Sequence, residues 1–402
     1  MRIASVGRAF PPHYYDQETL IAALEQVWGS RHRGAHRLAT IHRNTLVGGR
    51  HLALPLAAYA ELTSFTAAND AFIRCAVDLG EEALRDALAN AELQPEDVDH
   101  VIFVSITGLA TPSIDARLVN RLGLRRDVKR TPIFGLGCVA GAAGLARGAD
   151  YLRAFPQEVV ALVSVELCSL TLQRSDVSFA NLIASGLFGD GAAAAVLVGA
   201  DRAEGTNGAG APRCAGPALV ASRSVFYRDS EDVMGWDVTA EGFRVVLSAD
   251  VPKIIEARLA ADVDAFLSAH GLTRADVASY VCHPGGPHVL QAVQRGLGLA
   301  DDALAVTWDS LRRVGNLSSA SVLMVLRDTI DAHRPPPGAW GLLLALGPGL
   351  CAELVLLRWW AGTSFSSRSW ASSGWSSSRS AAATRRWRAL GARSRSGNGT
   401  FK

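Results

Sequence analysis

The sequence predicts an α/β protein made of two related halves, on three observations. Apolar runs of strand length alternate with longer helix-like stretches through most of its 402 residues, the pattern of alternating strands and helices. One phrase recurs: Leu93-Gln-Pro-Glu-Asp-Val-Asp-His-Val101 and Leu272-Thr-Arg-Ala-Asp-Val-Ala-Ser-Tyr280 each set Leu and then Asp-Val ahead of an apolar run. Two more pairs follow in the same order. The small-residue stretch around Cys138 pairs with the one holding Gly315, Asn316 and Ser318, and Phe188-Gly-Asp-Gly-Ala192 pairs with Leu346-Gly-Pro-Gly-Leu350, all about 160–180 residues apart. Three echoes in one order point to a duplicated unit.

In chain order, Phe65–Ala89 reads as a helix and Val101–Ser105 as a buried strand. Most of Val139–Arg153 is a second helix, followed by strands at Val159–Val165 and Ala192–Val198. The second half repeats the theme with a helix at Val251–His270, a strand at Tyr280–Cys282, a helix at Val322–Ala332 and strands at Gly341–Ala345 and Leu354–Leu357. The division is expected between 1–212 and 213–360. Residues 361–402 differ in kind, being rich in Ser, Arg and Trp, free of acids and without apolar period. Such a segment buries too little surface to offset its ordering entropy, and is expected to be a disordered extension.

That tail distorts the formal charge of +2, because it carries eight of the 40 basic residues. Without it, 32 basic residues face 38 acidic ones, so the body offers no broad basic field for nucleic acid. The six cysteines include no C-x-x-C pair, which argues against a zinc site or a disulfide framework and for a reducing cytoplasm. Met1 to Phe10 lacks the apolar core of a signal peptide. No apolar run reaches the ~18 residues of a membrane span.

Three stretches carry candidate chemistry. Gly135-Leu-Gly-Cys138-Val-Ala-Gly-Ala-Ala-Gly144 is a strand-to-helix turn running into a Gly/Ala helix. It sets Cys138 at or just before a helix N-terminus, where partial positive charge favours a thiolate. A thiol among small residues is equally a plain core residue. Val281-Cys282-His283-Pro-Gly-Gly-Pro287 stops a strand and leaves His283 on the rim, where sites of open α/β sheets form; a hydrogen-bonded structural histidine reads the same way. Val314-Gly-Asn316-Leu-Ser-Ser-Ala-Ser321 opens a helix that Asn316 could cap. Beside a histidine N–H, its amide could instead donate to a thioester oxyanion. Cysteine proteases also combine Cys, His and Asn, but not with a Gly/Ala core helix between duplicated halves.

The stretches around Cys138, Phe188-Gly-Asp-Gly-Ala192, His283-Pro-Gly-Gly-Pro287, Gly315-Asn316 and Leu346-Gly-Pro-Gly349 together resemble those of type III polyketide synthases, the chalcone and stilbene synthase family, up to about Trp360. The resemblance implies a thiolase-like fold in an αβαβα arrangement and a homodimer. It implies that Cys138 takes an acyl group from a starter CoA, and that His283 and Asn316 drive decarboxylation of malonyl-CoA and stabilise its enolate. A His cation beside Cys138 would keep the thiolate populated at neutral pH. Phe188 matches the gating aromatic at the junction of CoA tunnel and cavity. Coenzyme A thioesters enter as substrates, and neither a bound cofactor nor a metal is expected.

Two features depart from the family pattern. The second gating Phe of plant members falls at Val245, two steps from Phe243. The family's CoA-binding Lys/Arg trio is only partly matched, with Arg37 and Arg43 the nearest candidates; exposed arginines on a solvated face explain both equally. Ile106-Thr-Gly-Leu-Ala-Thr-Pro112 and Met234-Gly-Trp-Asp237 resemble bacterial members. Tetrahydroxynaphthalene-forming members have a Cys where this chain has Ile106, beside Thr107. An apolar residue there leans the reading toward an aliphatic starter and an alkylpyrone or alkylresorcinol, with tetrahydroxynaphthalene or chalcone-type products as alternatives. Cys168 and Thr171 match further pocket positions or simply pack. The rival enzyme is a ketoacyl-ACP synthase of the fatty-acid type; from another class, the rival is a non-catalytic acyl-binding protein of this fold.

Overall fold

The computed structural model describes residues 1–28, 37–205 and 211–360. The tail at 361–402, expected to be a disordered extension, lies outside the described residues.

A nine-stranded sheet runs in the order Val277–Cys282, Trp340–Gly347, Cys351–Arg358, Ala218–Phe226, Arg2–Ala9, Asp190–Val198, Val159–Leu167, His100–Val104, Lys129–Ile133. The two halves meet where Arg2 pairs with Ala218. Outward from that seam both follow one rule. The first strand of each half pairs antiparallel with its last, the last pairs antiparallel with the one before it, and that one pairs parallel with the second. The first half adds Lys129–Ile133 at its edge. The repeated phrase has a physical basis in matching turns. Gln94 N donates to Asp97 Oδ2 and Thr273 N to Asp276 Oδ2, both at 2.8 Å, closing the same capping box before the same strand of each half.

The layering follows from alternation along the strands. Ile102, Leu162, Ala195, Leu343 and Val355 face inward onto the helices Ala140–Ala154 and Ser321–Ala332, which share one buried cluster. Their neighbours Val101, Val163 and Ala194 face outward onto the helix Phe65–Ala91. Leu342, Leu354 and Leu356 do the same toward Val251–Ser268 and Pro287–Leu297. The result is helix, sheet, helix pair, sheet, helix: a thiolase-like αβαβα stack of two duplicated halves. The two central helices approach closely because residue 141 has no side chain. A Cβ there would collide with the Ser319 carbonyl and stand 2.9 Å from Val322 Cγ1. Gly141→Ala is therefore expected to cost on the order of 1–3 kcal/mol, read as a lowered midpoint in urea unfolding.

Candidate active site

Cys138 lies in the 3₁₀ turn Gly137–Val139, between the strand Lys129–Ile133 and the helix Ala140–Ala154. Gly137 has φ +52°, and a Cβ on it would stand 2.6 Å from Pro348 Cγ. The Gly-Pro-Gly turn of the second half thus rests directly on the cysteine turn of the first.

Asn316 sits where the halves interlock. Its N–H donates to Leu187 O at 2.9 Å, and its carbonyl accepts from Gly189 N at 3.0 Å, so Phe188 and Asn316 form a parallel bridge. The Asn316 side-chain oxygen accepts from Ser318 N at 2.8 Å, and Ser321 Oγ lies 3.5 Å from it. These donors fix which end of the amide is oxygen, and leave Nδ2 without a partner among the described residues. The same Ser318 accepts from Cys138 Sγ across 3.6 Å. A short polar chain, Cys138 to Ser318 to Asn316, therefore joins the halves.

His283 continues the ladder past Cys282, its N–H donating to Leu344 O at 2.9 Å. Val281 points to the central helices and Cys282 away from them, so alternation turns His283 inward. The side chain is buried, and Nδ1 is enclosed with no hydrogen-bond partner. With Nδ1 enclosed, Nε2 is the ring nitrogen left to exchange a proton or a hydrogen bond with a bound ligand. Beyond it, Gly286 packs against Leu187: a Cβ there would lie 3.3 Å from Leu187 Cδ2. The His283 loop and the Asn316 turn thus both meet Leu187, the residue before Phe188.

Burial dominates the electrostatics. It pushes the Cys138 thiol up to about 12, with the Glu166 carboxylate adding to the rise and the Ser318 contact opposing it. It pushes the His283 imidazole down to about 3. Both shifts run against the expectation of a His cation holding a thiolate at rest, because burial favours the neutral form of each group.

Glu166 was not singled out from the sequence, although a lone carboxylate in the buried run Val159–Leu167 is a signal. It accepts from Ile106 N at 3.1 Å, Thr107 Oγ1 at 2.9 Å, Ser319 N at 3.4 Å and Ser319 Oγ. It ties the strand end beside Ile106 to the turn bearing Asn316 and Ser318. Burial raises its carboxyl, and these hydrogen bonds oppose the rise.

Of the expected pocket residues, Thr107 and Thr171 line a cavity of about 500 Å³, together with Tyr59, Phe65, Gln173 and Phe243. Ile106 and Cys168 are buried beside it but do not line it. Phe188 is half-buried, with its ring centroid 6.4 Å from Trp236. The other aromatic neighbour was missed. Val245 pairs across the hairpin with Trp236, whose ring also lies 6.4 Å from Phe243. Trp236 therefore takes the aromatic place beside Phe188. Arg37 and Arg43 are exposed, and Arg43 spends Nε and Nη2 on Glu18 at 2.8 Å each, so it reaches a phosphate only by giving up that pair. Among the described residues no group of three His, Cys, Asp or Glu side chains could hold a metal, and no helix is long and apolar enough to cross a membrane.

Residues 1–202 match the family model for the N-terminal domain of chalcone and stilbene synthases, and residues 218–360 match that for the C-terminal domain. A 1,3,6,8-tetrahydroxynaphthalene synthase of Streptomyces peucetius is 51% identical over 89% of this chain and 93% of its own. A phloroglucinol synthase of Pseudomonas fluorescens is 33% identical over 88% of this chain and 97% of its own. The crystal structure of the tetrahydroxynaphthalene synthase of Streptomyces coelicolor superposes with a TM-score of 0.83 at 31% identity, covering 90% of this chain and all of that one. With both domain models matched in order, and half of the aligned positions shared with one bacterial relative, the chain belongs to the chalcone and stilbene synthase family, the type III polyketide synthases.

Proposed function

We propose that the protein builds a polyketide on Cys138 from coenzyme A thioesters, with His283 and Asn316 as its other catalytic residues. The observation that carries this reading is the chain from Cys138 through Ser318 to Asn316, with the loop of His283 packed on the same Leu187 that Asn316 bonds. The Cys138 thiol passes its proton to His283 and attacks the starter thioester, releasing CoA. When malonyl-CoA follows, its carboxylate leaves as CO₂ and the bonding pair moves onto the thioester oxygen. The N–H groups of His283 Nε2 and Asn316 Nδ2 hold that enolate, a use of fixed donors that needs no metal. The enolate carbon attacks the acyl-Cys138 carbonyl and sulfur leaves, so the longer chain is now a CoA thioester; Cys138 attacks that thioester in turn, releasing CoA, for the next round. Phe188 and Trp236 flank the passage, Val245 lies on the same hairpin, and Arg37 guides the CoA phosphates.

The first half, 1–212, supplies the nucleophile, and the second, 213–360, supplies the donors. The enzyme acts as a homodimer in the cytoplasm without a bound cofactor; free thiols at all six cysteines fit a reducing compartment. For the product, the relatives favour malonyl units alone and closure to a polyhydroxylated naphthalene. Ile106 favours the second reading, an aliphatic starter closed to an alkylpyrone or alkylresorcinol. Incubation with malonyl-CoA alone is expected to yield a polyketide detectable by mass spectrometry. Product formed only when a fatty acyl-CoA is added moves the assignment to the second reading. A requirement for acyl carrier protein, with one condensation only, overturns both in favour of a ketoacyl-ACP synthase.

A further inference from the structure

Arg50, on the short strand Gly49–Leu52, is among the largest fully enclosed side chains of the protein, at 2% exposure. Its side chain makes no hydrogen bond or ion pair with any described residue, and its Nε and Nη1 are buried without partners. Nearby Asp190 is already satisfied by Ala53 N at 2.6 Å, Ser169 N at 2.8 Å and Ser169 Oγ. Burial pushes the guanidinium down to about 10 while Asp190 opposes the shift, so it remains a cation at neutral pH. An unpaired buried cation is costly, and its retention calls for a reason.

The stem supplies one. A Cβ at Gly189 would stand 3.4 Å from Arg50 Cβ, and a Cβ at Gly315 would stand 3.3 Å from both Arg50 Cγ and Cδ. Those two glycines flank the bridge between Phe188 and Asn316. Neither can carry a side chain of its own, since the same Cβ positions lie 2.6 Å from Val314 O and Leu187 O respectively. The Arg50 methylenes therefore fill the space over both glycines. Resting on the assignment of Asn316 as an enolate donor, we propose that Arg50 is a positioning residue whose stem holds the Phe188–Asn316 crossing in register.

The two turns of the site separate this role from general support. Cys138 stands on a different turn, Gly137–Val139, and its side-chain contact is to Ser318 and not to Arg50, so its reactivity reports the integrity of the rest of the site. In full-length Arg50→Ala, the rate of malonyl-CoA decarboxylation is expected to fall about tenfold or more, the scale of a displaced donor, with KM for malonyl-CoA within about twofold. Alkylation of the Cys138 peptide by iodoacetamide, followed by mass spectrometry, is expected to stay within about twofold of the parent rate. Arg50→Met keeps a stem of similar length without charge, and is expected to restore decarboxylation to within about threefold of the parent.

Parent-like decarboxylation in Arg50→Ala overturns the proposal. Equal losses of decarboxylation and alkylation do so too, since they indicate a merely structural role. Arg50→Met no better than Arg50→Ala also overturns it, by assigning the effect to charge. If the parent protein itself neither decarboxylates nor extends malonyl-CoA, the functional assignment fails instead.

Discussion

Cys138→Ala is expected to abolish polyketide formation, lowering turnover by about 10³-fold or more, because no other group on that turn can hold the growing chain as a thioester. The substitution removes one sulfur from a half-buried position, so the thermal midpoint should hold within a few degrees. Intact-mass spectrometry after incubation with acyl-CoA should show the acyl adduct on the parent and none on the variant. Release of CO₂ from malonyl-CoA should persist in part, since the enolate donors come from the second half. A variant that still extends acyl-CoA into polyketide refutes Cys138 as nucleophile.

The second large effect belongs to His283. With burial pushing the thiol up to about 12, Cys138 ionises near neutrality only if a neighbour takes its proton, and His283 is the assigned acceptor. In His283→Gln the thiolate fraction should rise tenfold per pH unit from pH 7 to beyond pH 9, the behaviour of a thiol far below its pKa. Iodoacetamide alkylation of Cys138 should therefore slow at least tenfold at pH 7 and recover steadily as pH rises. In the parent the profile should be flatter over the same range, because proton transfer within the pair leaves the net charge unchanged. Malonyl-CoA decarboxylation should fall by about 10²–10³ with the loss of one enolate donor. An unaltered alkylation profile in the variant would separate His283 from the sulfur.

What could be read from the sequence follows local chemistry. Apolar runs such as Val159–Leu167 and the Gly/Ala helix after Cys138 declare themselves because both faces or close contacts exclude polar side chains. The echo around Leu93 and Leu272 was visible because the turn needs an acidic side chain at one fixed place. Three strands of the nine-stranded sheet escaped notice: Arg2–Ala9, Lys129–Ile133 and Ala218–Phe226. Their Arg, Lys, Ser and Pro residues break the apolar pattern, and partners distant in sequence settle their conformation. The same limit applies to the site. Cys138, His283 and Asn316 sit at turns whose Gly and Pro residues are conspicuous, whereas Glu166, Trp236 and Arg50 acquire meaning only through partners far along the chain.

The mirrored strand order carries a cost in assembly. The strand Arg2–Ala9 lies mid-sheet, yet its ladder partner is Asp190–Val198 and its seam contact is Ala218. More than two hundred residues must be in place before it can be clasped on both flanks, and pairing across such a span slows folding. Until then an apolar ribbon stays open to wrong partners. Crowded expression at high temperature should therefore yield inclusion bodies more readily than slow, cool synthesis.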